Sequence, residues 1–592
     1  SALQSQGLNL MLWISDHCWS GLHDEGAANG WLFDPAKTNA YTTADFSNAG
    51  AYEWFGRKLD TFVNLGVKGY KIDRLDERES PDAANNRNNT LFQKLAREGL
   101  ERGHPGEGFT FSRCASDRAR RHTAIWNGDS YATFTGLQFS ILCGLRSGII
   151  NFPMWGSDTG GYRSAPTEEL FARWLQFSAY SPMMQVLVGS GSQALARRSP
   201  WYDYSPVLVA VAREQADAHH DLMPYSRSQL YQATVTGMPV MRPIMFEFPD
   251  DPNIEATTTN CTYMFGAGLL VAPAIAAGAT ARDVYLPAGK WLDYNDRSTV
   301  RTGPANITAS APLDKIPLFV REGAIIPRGD IYRGNNMWTP GWQPSLRIEM
   351  FPSPSAPSVF PYYTGAAVKE ITCSASGGSL SVQFGDLGTP GNLEIQCVNP
   401  GNVTRNGILL APSVDYEYLA ASSILRVPFS GATVLQVRNF SSVFASSRSP
   451  HEAWRMENFG NSGNPIVSSP DADPDGDGLV NLVEYALGSN PNAKDAGTAL
   501  PTTAAADGQL EYLVNLDSSL GDVNYTVQSS TDLVVWQDIA TSAGGAKAMA
   551  VPGSGASVSD SGAGRRQASI KVPASEPQNF LRLKISLAGG VP

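Results

Sequence analysis

The sequence predicts an α/β and β multi-domain protein, a (β/α)8 TIM barrel followed by β-sandwich domains. Three observations lead there. At 592 residues, 42% hydrophobic and 17% charged, the chain is too long for one core and too apolar for disorder. Residues 1–254 alternate short apolar runs with amphipathic segments, as βα units do. From residue 255 onward helical periodicity fades, and short strands broken by Gly and Pro take over.

Within the first region strands are expected at 8–15, 67–73, 109–114, 122–127, 148–155 and 183–188. Between them, 52–63 and 167–178 carry apolar residues at the three-and-four spacing of a helix. A closed barrel needs eight strands, so the first two are expected upstream of Ser1. Consistent with this, Ser1 leads straight into the apolar run Leu8–Ile14 without the basic start and small-residue cleavage site of a signal peptide.

The domains read as 1–254, an N-terminally incomplete catalytic barrel; 255–330, a proximal β-sandwich; 331–445, a distal one; 446–495, a Ser/Asn/Pro/Asp-rich linker; and 496–592, a terminal β-sandwich with strands around Tyr525–Trp536 and Asn579–Ile585. Six scattered cysteines make neither a disulfide scaffold nor a zinc site; Cys373 and Cys397 either pair or remain two buried thiols. With 45 Lys+Arg against 56 Asp+Glu, the formal net charge of -11 gives a nucleic-acid surface no support. No run of eighteen uncharged apolar residues suits a bilayer.

Two segments carry the chemistry. Gly66–Asp73 is a β-branched and aromatic run ending in an acid, which sets Asp73 at the carboxyl end of a strand, the catalytic face of a βα barrel. Strand-end aspartates also cap helices, so position alone leaves both roles open. Lys71, two residues back on the same side of the strand, is expected to keep Asp73 ionised. Ala124–Asp129 repeats the pattern, about two βα units later. Trp126 offers either a face for sugar stacking and the apolar setting that raises a carboxyl pKa, or simply a core tryptophan. Paired strand-end carboxylates with aromatic neighbours, and no phosphate loop or nucleophile elbow, point to glycoside hydrolysis.

Lys71-Ile-Asp73, Trp126-Asn-Gly-Asp129, Gly156-Ser-Asp-Thr-Gly-Gly-Tyr162, Ser181-Pro-Met-Met184, Pro239–Asp251 and Ile316–Pro327 together resemble the successive signatures of the family 31 glycoside hydrolases, over about 8–330. The resemblance implies a retaining α-glycosidase of α-glucosidase, α-xylosidase or α-galactosidase type that needs no cofactor for catalysis. Lyases and transglycosylating members also belong to that family. In it Asp73 is the nucleophile, Asp129 the acid/base, Arg113 a substrate contact near Asp129, and Asp158 a support of the sugar site. Asp158 also fits ordinary turn chemistry. Trp13, Asp16 and His17 are pocket candidates by position only.

The chain departs from the family pattern in three places. Three residues rather than two separate Asp73 from Glu77, which makes Asp76 a rival for the glutamate's role. After Ser-Pro-Met-Met the usual sugar-gripping Arg and His are replaced by Gln185-Val-Leu-Val-Gly189, implying a different sugar or a pocket completed otherwise. The early-strand acid that reads distal hydroxyls is expected before Ser1.

Independently, Asp473-Pro-Asp475-Gly-Asp477-Gly478-Leu479-Val-Asn481-Leu-Val-Glu484 fits the calcium-loop pattern D-x-[DN]-x-[DN]-G-x5-E at every defined position. Asp473, Asp475, Asp477, the Leu479 carbonyl, Asn481 and Glu484 would form an oxygen cage for a structural Ca2+. Only one flanking helix, Leu479–Leu487, is suggested, so the loop resembles the single calcium loops of dockerin-like and thrombospondin-type repeats and is expected to stiffen a joint before the terminal sandwich. The whole reads as a secreted, periplasmic or cell-surface bacterial protein acting on an oligo- or polysaccharide. The alternatives are a neighbouring α-galactosidase-type family, and a non-catalytic carbohydrate-binding or surface-adhesion protein.

Overall fold

The computed structural model describes residues 8–37, 42–75, 80–186, 199–254, 261–332, 339–398, 400–444, 450–459, 465–494, 500–506, 509–517, 520, 522–544, 546–560, 565–573 and 580–587. Two compact units result, one built from Ser1–Asn295, Val300–Leu419 and Ser423–Phe444, the other from Asp296–Thr299, Ala420–Ser422 and Ala445–Pro592.

The first unit opens with six parallel strands side by side in chain order: β1 (Leu10–Ser15), β2 (Val67–Asp73), β3 (Phe109–Ser112), β4 (Ala124–Trp126), β5 (Trp155–Thr159) and β6 (Met183–Val186). Their crossovers carry α1 (Gly21–Ala28), α2 (Ala49–Asn64), α3 (Asp82–Gly103), α4 (Phe134–Ile149) and α5 (Glu168–Ala179), followed by α6 (Pro206–Asp221) and α7 (Met223–Thr236). Local chemistry sets the helix starts. Asn48, Thr133 and Thr167 each accept a backbone N–H of the first turn of α2, α4 and α5 through their side chains. On α2, Ala51, Trp54, Phe55, Leu59 and Val63 bury one face, the spacing the sequence showed.

One expected strand is displaced. The apolar run 148–155 is the end of α4 and a loop, and β5 begins at its last residue, Trp155. The polar segment Gly156–Thr159 is wholly buried as strand because its side chains find partners: Trp174 Nε1 donates to Ser157 Oγ at 3.0 Å, and the Thr159 and Ser178 hydroxyls lie 2.8 Å apart.

Beyond α7, one six-stranded antiparallel sheet contains β7 (Met241–Arg242), β8 (Tyr263–Phe265), β9 (Leu269–Val271), β10 (Ala281–Asp293), β11 (Val300–Ser310) and β12 (Leu318–Arg321), a single sheet where two facing ones were expected. Both faces are buried by strand alternation: Tyr263 and Phe265 join the large core that includes Trp155 and Trp174, while Met264 joins a separate cluster around Trp291. Residues 325–442 supply two further six-stranded sheets. Cys373 and Cys397 sit one in each of these sheets as free, buried thiols, both pushed up to about 12 by burial, so the pairing alternative is not realised.

The second unit contains α8 (Pro450–Phe459), α9 (Asn481–Leu487) and two four-stranded sheets from residues 502–587. Tyr485 and Ala486 of α9 belong to the same apolar core as Tyr512, Val523, Tyr525 and Ile570 of those sheets. The stretch expected to be a linker is therefore partly built into the terminal sandwich.

Candidate functional site

β2 ends on Asp73 and β4 ends on Trp126, three residues before Asp129, so both acids emerge at the carboxyl ends of parallel strands. Arg113, just past the end of β3 between them, touches both: its Nε lies 3.0 Å from Asp73 Oδ1 and its Nη1 3.9 Å from Asp129 Oδ1. One guanidinium facing two carboxylates puts them on one space. Gly128 makes room for this arrangement, because it takes φ +75° and a Cβ there would sit 3.1 Å from Arg113 Cδ.

Asp73 is held on both oxygens. Trp13 Nε1 donates to Oδ2 at 2.8 Å, and the Arg74 amide donates to Oδ1 at 2.8 Å. Arg74 does so from φ +68°, a conformation that costs a non-glycine residue strain, of the kind that collects at functional sites. Trp13 is itself 49% exposed, so it can meet a ligand as well as orient Asp73. Asp16 and His17, by contrast, are buried, one turn of chain beyond it.

Lys71 departs from expectation. Its Nζ pairs with Asp158 Oδ1 at 3.3 Å and stands 3.8 Å from the centroid of the Trp126 ring; the cation beside Asp73 is Arg113. Trp126 is 2% exposed with that ammonium over its ring, which makes it a core residue rather than a stacking platform for sugar. Asp158 is a fully buried strand residue of β5, not a turn residue, and also accepts a hydrogen bond from Gln185 Nε2 on β6. Gln185, which stands out in the sequence only as a departure, thus completes the Lys71–Asp158 cluster. Asp76 and Glu77 lie outside the described residues.

Burial raises the Asp129 carboxyl above its ordinary range; Arg113 opposes this, and the negative charge of Asp73 adds to it. The site thus holds one carboxylate gripped by three donors and a second whose affinity for its proton burial raises, an asymmetry that acid/base chemistry at a pair of carboxylates can use. Two rim residues, Tyr131 and Arg163, were not singled out by sequence reasoning, although Tyr131 follows Asp129 by only two positions.

Residues 1–229 match the glycosyl hydrolases family 31 TIM-barrel domain, and residues 237–326 match the glycosyl hydrolase family 31 C-terminal domain. The chain belongs to glycosyl hydrolase family 31 over this span. An isomaltosyltransferase of Sporosarcina globispora is 27% identical over 405 residues, 64% of this chain and 36% of that protein. Alpha-glucosidase 2 of Bacillus thermoamyloliquefaciens is 27% identical over 314 residues, 50% of this chain and 39% of that protein. The chain thus spans well under half the length of these family 31 relatives. A solved cycloalternan-forming enzyme from Listeria monocytogenes, in complex with pentasaccharide substrate, superposes with a TM-score of 0.68 over 99% of this chain and 58% of that one; at 18% identity this speaks for the fold alone.

Proposed function

We propose that this family 31 protein is a retaining α-glycosidase that removes terminal α-linked sugars from oligo- or polysaccharides by double displacement, its six parallel strands forming part of a (β/α)8 barrel. The observation that carries this is Arg113 in contact with both Asp73 and Asp129 at the carboxyl ends of the strands. Asp73, which accepts hydrogen bonds from Trp13 and the Arg74 amide and faces the Arg113 guanidinium, attacks the anomeric carbon as the bond to the leaving oxygen breaks. Asp129, biased toward its protonated form by burial, gives that oxygen its proton, then takes one back from the water that releases the sugar from Asp73. Such a mechanism places the two carboxyl groups about 5–5.5 Å apart. Lys71, Asp158 and Gln185 support the floor of the site.

A panel of aryl α-glycosides (glucoside, xyloside, galactoside, N-acetylgalactosaminide) tests the reading and names the sugar. Turnover of one of them, lost in Asp73→Asn, is expected. No turnover of any would favour a sugar-binding protein without catalysis.

The second unit supports a structural calcium site. Carboxylate oxygens of Asp473, Asp475 and Asp477 all lie within 4.8 Å of one another, and backbone amides of residues 476–479 fold the loop around them. The buried oxygens Asp475 Oδ2 and Asn481 Oδ1 have no hydrogen-bond partner among the described residues, and Glu484 is fully buried beside them in sequence at the twelfth position. This is the hard-oxygen donor set Ca2+ takes. The ion would brace the terminal sandwich, into whose core the outgoing helix α9 is built. Such loops and sandwiches fit a secreted, periplasmic or cell-surface protein. Unchanged thermal unfolding of the second unit on chelation would sink the calcium proposal.

A further inference from the structure

A lone exposed tyrosine says little, but Tyr131 is 60% exposed and fixed in place. The segment after Asp129 pairs with the segment after β5: Tyr131 bridges Arg163, the Ala132 amide donates to the Arg163 carbonyl at 2.9 Å, and the Tyr162 and Arg163 amides both donate to the Ser130 carbonyl, at 2.6 and 2.9 Å. Gly161, at φ +89°, permits this closeness, since a Cβ there would lie 2.7 Å from Ala132 Cα. The result is a small rigid rim carrying two exposed side chains against each other. The Arg163 guanidinium lies 5.2 Å from the Tyr131 ring centroid, and its Nη1 donates to Tyr131 Oη at 3.3 Å.

This rim adjoins Asp129 in both chain and field, for the Arg163 charge opposes the rise in the Asp129 pKa. On the glycosidase reading, on which the inference rests, Asp129 protonates the oxygen joining the sugar that stays to the group that leaves. Whatever lies beyond that oxygen meets the rim. An aromatic face beside an exposed guanidinium suits a neutral pyranose, which offers C–H groups to the ring and hydroxyls to the N–H donors.

We propose that Tyr131 and Arg163 form the subsite for the departing sugar, so that the protein prefers di- and oligosaccharides over substrates whose leaving group cannot stack there. The comparison that reads this is kcat/KM for an α-linked disaccharide against the α-glycosyl fluoride of the same sugar, whose leaving group is a single atom. In Tyr131→Ala the disaccharide value falls on the order of tenfold, and the fluoride value by less than about threefold, the scale of one lost stacking contact. Tyr131→Phe, which keeps the ring, restores most of the disaccharide rate, and Arg163→Met loses part of it. Equal losses on both substrates, or none on either, would overturn the subsite while leaving the glycosidase reading intact. A wild-type protein that fails to hydrolyse both the fluoride and the disaccharide would instead defeat the glycosidase reading and this one with it.

Discussion

Lys71 Nζ stands 3.3 Å from Asp158 Oδ1, and this pair ties β2 to β5 through an acid with no solvent exposure. A buried carboxylate that loses a cationic partner keeps its desolvation cost and loses part of the compensating attraction. Lys71→Met is therefore expected to destabilise the first unit by about 3–5 kcal/mol, read from urea unfolding. Lys71→Met combined with Asp158→Asn should recover much of that loss. If the double variant were no more stable than the single one, the pair would not be the cause.

Arg113 acts on proton affinity as well as position. Asp129 is raised by burial and held back by Arg113, so removing the guanidinium lets the pKa rise further. A general acid works while protonated, and its rate falls as pH passes upward through its pKa. Arg113→Met should consequently move the alkaline limb of kcat/KM to higher pH, with the maximal rate lowered on the order of a hundredfold by lost positioning. An alkaline limb that stays in place would show that Asp129 does not set it.

The raised pKa of Asp129 also bears on stability. A carboxyl whose folded pKa lies above its unfolded one stabilises the fold below the unfolded value, and that contribution is lost as pH rises through the folded value. Above both values the ionised Asp129 is thus a net cost to the fold. Asp129→Asn should melt at a higher temperature than wild type at pH 7, with the gap closing towards pH 4, while hydrolysis is lost. A variant less stable than wild type at pH 7 would contradict this account.

The sequence exposed the parallel-strand region and both acids because hydrophobic period and strand-end position are local signals: 67–73 is the observed β2 to the residue, and α2 extends its expected span by only a few residues. What stayed hidden depends on contacts between distant segments. β5 reads as a turn because Gly156-Ser-Asp-Thr is polar, and contacts with Trp174, Ser178, Lys71 and Gln185 from distant segments make its burial possible. Strand alternation points Lys71 at the nearer acid, yet Asp158, 87 residues on, holds it. Trp126 could be platform or core from sequence, and the ammonium on its ring decides for core. The family resemblance implies Arg113 only as a substrate contact near Asp129, and its position between the two acids shows only in the fold.

The calcium-loop helix reads as part of a joint because its neighbours are polar and Pro-rich, whereas its packing makes it part of the terminal sandwich. Tyr485 Oη donates to Asp522 Oδ1 at 2.8 Å, the His451 amide donates to Asp522 Oδ2 at 2.7 Å, and the His451 and Tyr485 rings meet edge-on with centroids 5.0 Å apart. Burial together with the Asp522 carboxylate raises the Tyr485 hydroxyl pKa, so the bond keeps its proton across the working pH range. Tyr485→Phe keeps the apolar volume and removes only the donor, leaving one buried carboxylate oxygen unpaired at a cost of about 1–3 kcal/mol. The melting transition of the second unit should fall by several degrees, on the scale of about 2–4 °C per kcal/mol for a unit of this size. If α9 were merely a joint, the substitution would leave that transition where it is.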